Sequence, residues 1–250
     1  MKTIDLIKYL DELLRTTEIE DDSLNGLQVE NSGTVQKVAL AVDVSEPAIQ
    51  KAAEIHADML LVHHGLFWGK SEAITGGLYK RIHGLIQNNI ALYASHLPLD
   101  MHPDFGNNAQ MVSLMDWKVS SDFGLYHGYV LGKEIRFEQG IPVQKIVDDL
   151  SDKLNCETSV WAFGNDNVRT AAYVSGGAIS MLPEAIEKGL DLYITGEPRH
   201  GSYWLAKEAG INVIFAGHYA TETLGVKALG EHLKKQFGLD VEMIDFPTGL

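Results

Sequence analysis

The sequence predicts an α/β protein made of two related units with mainly parallel sheets, facing each other across a pseudo-two-fold cleft. Three observations carry this. Short apolar, β-favouring runs alternate with amphipathic helical stretches, the pattern of βαβ units. The chain also matches itself: a shift of 133 lays residues 37–64 on 170–197 without a gap, and a shift of 122 lays 92–96 on 214–218. Finally, histidines and carboxylates recur just after predicted strands, where open α/β sheets bind ligands.

Each element has its own signal. Residues 4–15 place Ile4, Leu6, Ile7, Leu10, Leu13 and Leu14 at helical spacing opposite Asp5, Lys8, Asp11 and Glu12, an amphipathic helix. Asn25-Gly26 marks a turn. Residues 37–44 read as a strand, and Ser45-Glu46-Pro47 starts a helix with an N-cap serine and a first-turn proline. That helix runs to His56 and is followed by a buried strand over 58–62, ending in His63-His64-Gly65. A helix over 78–87, a strand over 90–95 and a helix over 108–117 follow.

In the middle segment a strand is predicted over 126–131 and a helix over 141–154, with Ile146, Val147, Leu150 and Leu154 on one face. Alternation then resumes with a strand at 170–175, a helix at 182–188 that Gly189 caps, and a strand at 191–195. A helix at 203–209, a strand at 211–216, a long helix at 221–237 and a strand at 241–246 complete the chain. No low-complexity linker interrupts it. The expected division is a first unit over 1–125 and a second over 126–250, the final helix being free to pack on the first.

Composition bounds the function. Net charge is −14, with 45% hydrophobic and 22% charged residues, which gives material for a full core and lacks the broad basic surface that nucleic acid or an anionic membrane requires. No apolar run reaches the roughly 18–20 residues of a membrane span, and the N-terminus lacks the apolar core of a signal peptide. The single cysteine, Cys156, forms no internal disulfide, so a cytoplasmic location is expected.

The chemistry concentrates at three strand ends. His63 and His64 follow one strand, His96 and Asp100 another, and His218 and Glu222 a third. Imidazole and carboxylate donors together suit Zn, Fe, Mn, Co or Ni, and a set of this size suits two divalent ions, the arrangement that activates water for hydrolysis. Phe67 and Trp68 are placed to stack on a base or to fill core, and Ser175-Gly176-Gly177-Ala178 to cradle a phosphate or to make a tight turn. His102 and Asp104 lie near the cluster as supports to the ligands, and Asn107-Asn108 as a helix cap.

Five motifs together resemble the Nif-three-like metal-binding family, whose bacterial members are commonly labelled GTP cyclohydrolase 1 type 2 homologues. They are Asn25-Gly26-Leu27-Gln28-Val29, Val62-His63-His64-Gly65, His96-Leu97-Pro98-Leu99-Asp100, Gly106-Asn107-Asn108 and Gly217-His218-Tyr219-Ala220-Thr221-Glu222. The resemblance covers nearly the whole chain. It implies two interlinked α/β domains, a dinuclear metal centre and a ring-shaped homohexamer. Carried over by position, the metal ligands are His63, His64, Asp100, His218 and Glu222. His96 becomes a proton-transfer residue or a support to the ligands, and Glu197, in the loop equivalent to His63-His64, a further cleft residue. The expected function is a dinuclear metal-dependent hydrolase of a nucleotide-like or other small heterocyclic or phosphorylated substrate. The alternative is a non-enzymatic metal-binding, metal-delivery or regulatory scaffold protein.

Overall fold

The computed structural model describes all residues, 1–250. The elements in chain order are α1 (Thr3–Leu14), β1 (Gly26–Val29), β2 (Lys37–Asp43), α2 (Glu46–Glu54), β3 (Met59–His64), α3 (Gly76–Gln87), β4 (Ala91–Ala94), α4 (Leu97–Asp100) and α5 (Asn107–Met115). They continue as β5 (Val119–Tyr126), β6 (Tyr129–Pro142), α6 (Val143–Leu154), β7 (Ser159–Trp161), β8 (Asn167–Tyr173), α7 (Leu182–Glu187) and β9 (Leu192–Thr195). The last are α8 (Tyr203–Ala209), β10 (Asn212–Phe215), α9 (His218–Phe237) and β11 (Asp240–Met243).

The chain forms two compact units, one of Met1–Gly106 with Gly225–Phe246 and one of Asn107–Leu224 with Pro247–Leu250. The division falls at Gly106, not at 125/126, because a break there would cut β5 out of its hairpin with β6. The chain also returns to the first unit from Gly225, part-way along α9.

In the first unit the sheet order is β1-β4-β3-β2-β11, with every neighbouring pair parallel except β1 and β4. Strand alternation sends Val38, Leu40, Met59, Leu61 and Tyr93 to one face, against α1 and the α9 residues Val226, Leu229 and Leu233. Ala39, Ala41, Leu60, Val62 and Leu92 go to the other, against Ala48, Ile49 and Ala52 of α2 and Leu78 and Leu85 of α3. Burial on both faces explains why these strands read as continuous apolar runs. Each fully buried leucine among them contributes about 1.5–3 kcal/mol.

The second unit has the order β5-β6-β8-β9-β10-β7, with parallel β8, β9 and β10 flanked by antiparallel partners. One face packs Ile135, Ala171, Tyr173, Leu192 and Ile194 against Ile146, Val147 and Leu150 of α6. The strand expected at 126–131 is divided: Tyr126 ends β5, residues 127–128 turn, and residues 129–131 begin β6. His127 and Gly128 both have positive φ, 49° and 86°, the signature of a two-residue turn joining β5 to β6.

The internal repeat has a physical counterpart. Asp58 Oδ2 accepts the backbone N–H groups of Gln36 and Lys37, and Asp191 Oδ2 accepts those of Arg169 and Thr170, the residues matched by the 133 shift. The second shift needs a correction. Ala94 lies opposite Val62 and Phe215 opposite Thr195, so the ladder places Ala94 on Phe215, one residue before the sequence match. Gly217, at φ 84°, is the extra residue that brings His218 back into line with His96.

Candidate metal centre

The chain delivers two clusters of metal-donor side chains, one from each unit. In the first, β3 and β4 are adjacent parallel strands, so His63, His64 and His96 emerge at neighbouring strand ends. One ring nitrogen from each of the three lies within 4.8 Å of the other two. Gly65 lets the chain leave β3 tightly: a Cβ there would lie 2.3 Å from Gln28 Nε2 and 2.7 Å from Ala94 Cβ. Gln28 fixes the exit by accepting the Leu66 N–H at 2.7 Å and donating to Leu24 O at 2.5 Å.

The hydrogen bonds set the tautomers. His63 Nδ1 donates to Ser95 O at 2.9 Å, His64 Nδ1 to Asp43 Oδ1 at 2.8 Å, and His96 Nδ1 to Asp21 Oδ1 at 3.0 Å. A proton held on Nδ1 puts the ring lone pair on Nε2 in all three. Backbone carbonyls and carboxylates hold metal-binding histidines in this way. Asp100, on the single-turn α4, is buried with Oδ2 3.6 Å from His63 Nε2. Asp104 is exposed. The three imidazoles, with Asp100 beside them, could therefore hold a metal ion, all from the two short segments 63–64 and 96–100.

The second cluster sits at the start of α9. The helix begins at His218, three residues before the expected 221, which sets His218 and Glu222 one turn apart on the same face. His218 Nε2 lies 3.2 Å from Glu222 Oε2, and Nδ1 lies 3.3 Å from Glu197 Oε2. Burial alone would depress the imidazole, but the Glu222 and Glu197 carboxylates outweigh it and raise His218 to about 9. Buried Glu222 and neighbouring Glu197 thus favour positive charge beside them, and His218 with Glu222 belongs to a donor group that could hold a metal ion. Ser175-Gly176-Gly177 makes the tight turn beside them: Gly176 has φ 64°, and Glu222 packs where its Cβ would be.

Several residues resolve differently from expectation. His102 does not support the cluster: its Nδ1 accepts the N–H groups of Asp104 and Phe105, and its ring stacks on Phe105 at 4.7 Å. Asn108 holds Ser175 through both its amide nitrogen and its oxygen. Phe67 packs into the core, whereas Trp68 stays 37% exposed with its ring 5.0 Å from His96 and 5.9 Å from His64.

Sequence reading missed Asp21 and Asp43, which aim His96 and His64. Asp43 had a legible signal, since it ends the strand beside β3 and pairs with His64 in register. Asp21 had none, lying 75 residues from His96. Its carboxylate accepts from Ser23 N, Leu97 N, Asn25 Nδ2 and His96 Nδ1. Burial pushes its pKa up, but the His96 hydrogen bond and charge, with Asn25 and Ser23, prevail and hold it at about 2, below the ordinary 3.8. A depressed carboxylate stabilises the fold above its unfolded pKa and loses that contribution as pH falls through the folded value. Asp21→Asn is therefore expected to cost about 2 kcal/mol at pH 7. The gap to wild type should narrow from pH 5 towards pH 2 in urea titrations. A pH-independent gap would show that the ionised carboxylate is not the stabilising form.

The comparisons with known proteins agree in their scope. The Duf34/NIF3 (NGG1p interacting factor 3) family matches residues 1–248. A Pyrococcus horikoshii protein named GTP cyclohydrolase 1 type 2 homolog is 44% identical over 247 residues, covering 98% of each chain. An Archaeoglobus fulgidus protein of the same name is 42% identical over 250 residues, covering 100% of both. The crystal structure of TTHA1606 from Thermus thermophilus superposes with TM-score 0.91 at 42% identity, covering 100% of both chains.

Proposed function

The chain belongs to the Duf34/NIF3 family, and from that premise we propose that it is a dinuclear metal-dependent hydrolase. Its substrate class is a nucleotide-like or other small heterocyclic or phosphorylated compound, and the name of its relatives favours a GTP cyclohydrolase-like reaction. The observation that carries the reading is the tautomer pattern: three imidazoles held through Nδ1 by a carbonyl and two carboxylates, beside a buried aspartate.

The ligands in this reading are His63, His64 and Asp100 from the first unit and His218 and Glu222 from the second. When bound, two divalent ions supply an acidified water and polarise the bond under attack. The chain's own residues do the rest. Asp43 keeps His64 oriented, and Ser95 O does the same for His63. His96, oriented by Asp21 through Nδ1, would offer its Nε2 lone pair to a proton, and Glu197 would offer its carboxylate beside His218. A cation held by His218 and Glu222 would compete with the proton that the Glu222 and Glu197 carboxylates favour on His218.

Five N/O ligands exceed what one ion with an open position uses and suit two. Protein purified without chelator is expected to approach two ions per chain. The loaded protein should turn over one member of a nucleotide panel, and His64→Ala should not. Saturation at one ion would overturn the dinuclear centre. Two ions without turnover of any panel member would overturn the nucleotide hydrolase.

A further inference from the structure

Within the first unit, on one side of His64, lies a cavity of about 410 Å³ walled by Asp43, Ser45, His64, Trp68 and Arg81. Its volume is in the range of small-molecule sites, roughly 300–1,000 Å³. Arg81, on α3, is its one guanidinium or ammonium group. The residue is half-buried, and its Nε is buried without a hydrogen-bond partner. Asp43, the cavity's one carboxylate, accepts the His64 proton at 2.8 Å. Neighbouring Lys80 turns instead to Glu46, at 4.0 Å.

Arg81 is the one cationic side chain on the cavity wall, so an anion is the ligand its charge would meet there, although its Nε itself is closed to solvent. The acceptor that matches the guanidinium fork is an oxyanion with two oxygens in one plane. Two further features favour a phosphate. Ser45 Oγ accepts the Ala48 N–H as the N-cap of α2, so its own hydroxyl hydrogen remains to donate. The start of that nine-residue helix also adds positive potential on the same wall. Trp68 supplies a different surface. Its Nε1 donates to Gly65 O at 3.1 Å, which braces the indole, and the ring remains 37% exposed.

We propose that this cavity recognises a small phosphorylated heterocycle, with Arg81 and Ser45 binding the phosphate oxygens and Trp68 packing on the adjoining ring. Only the identification of this ligand as the substrate rests on the hydrolase reading. The binding itself follows from the cavity. None of the three takes part in bond cleavage; together they set which molecules stay beside His64.

The test uses three probes, GMP, guanosine and inorganic phosphate, titrated calorimetrically into the full chain, as purified and again in EDTA. Wild type should bind GMP at least ten-fold more tightly than guanosine under both conditions. Arg81→Gln should bring GMP to within two- to three-fold of guanosine while leaving guanosine unchanged. Trp68→Ala should weaken both by a similar factor and keep their ratio. Arg81→Lys, which retains the charge without the fork, should fall between wild type and Arg81→Gln, and it serves as the measured variant should Arg81→Gln fail to fold by circular dichroism. Wild-type GMP affinity in the arginine variant would overturn the proposal. So would loss of GMP binding in EDTA, which would assign the phosphate to the ions, or inorganic phosphate binding as tightly as GMP, which would remove the ring contact. An inactive but ion-loaded protein that still discriminates GMP from guanosine would overturn the hydrolase and leave this site standing.

Discussion

Gly176→Ala is expected to unseat Glu222 and to lower both the stability of the second unit and the chain's divalent-ion content. The added methyl would lie 2.0 Å from Glu222 Oε1, on a backbone held at φ 64°. The left-handed conformation costs an alanine about 1–2 kcal/mol. The overlap must then be relieved by moving either the turn or the carboxylate. The turn is fixed: Gly176 N–H donates to Thr221 Oγ1, and Gly176 O accepts from the Gly196 N–H and Thr195 Oγ1. Glu222 therefore gives way, and ion affinity should drop at least ten-fold. Gly201→Ala is the control, since nothing lies within 4 Å of its Cβ position. Thermal unfolding and metal analysis of the two variants decide the matter. A Gly176→Ala protein with wild-type melting and ion content would mean that Glu222 is not needed where it lies.

The same turn illustrates how far sequence carries the reading. Ser175-Gly176-Gly177 is legible as a tight turn, but the reason for its glycines, a carboxylate from α9 packed against them, joins segments 46 residues apart in number and is not periodic in either. The parallel strands β2, β3, β4, β8, β9 and β10 were legible because burial on both faces leaves unbroken apolar runs. The strands β5 and β7 were not, and of β6 only its first residues fell inside the strand expected at 126–131. β5 shows an exposed stretch from Val119 to Asp122, and the β5–β6 turn uses His127-Gly128 where Asn-Gly would have announced it. Motif histidines are readable because they follow strands. The acids that orient them are readable only from pairing, as Asp43 beside His64, or not at all, as Asp21.

Asp100→Ala is expected to lose at least one divalent ion, whereas Asp104→Ala keeps its complement. The two aspartates stand four residues apart, and composition alone favours neither. Asp100 is 7% exposed on α4, with its carboxylate 3.6 Å from His63 Nε2. Asp104 is exposed in the following turn, where its N–H donates to His102 Nδ1. The internal repeat separates them in the same direction, because Asp100 matches Glu222 in the second unit. If Asp100 is a ligand as proposed, removing its carboxylate takes negative charge from the cation's place, so metal should be lost on dialysis together with any metal-dependent turnover. A residue that only supports a ligand typically costs about 10–100-fold in affinity, and Asp104 should fall at or below that range. Both variants would be dialysed against chelator-free buffer, assayed for metal by mass spectrometry and checked for folding by circular dichroism. Metal loss in Asp104→Ala with retention in Asp100→Ala would break the match between Asp100 and Glu222, and the carboxylate of the first cluster would have to be sought among the neighbours of His96.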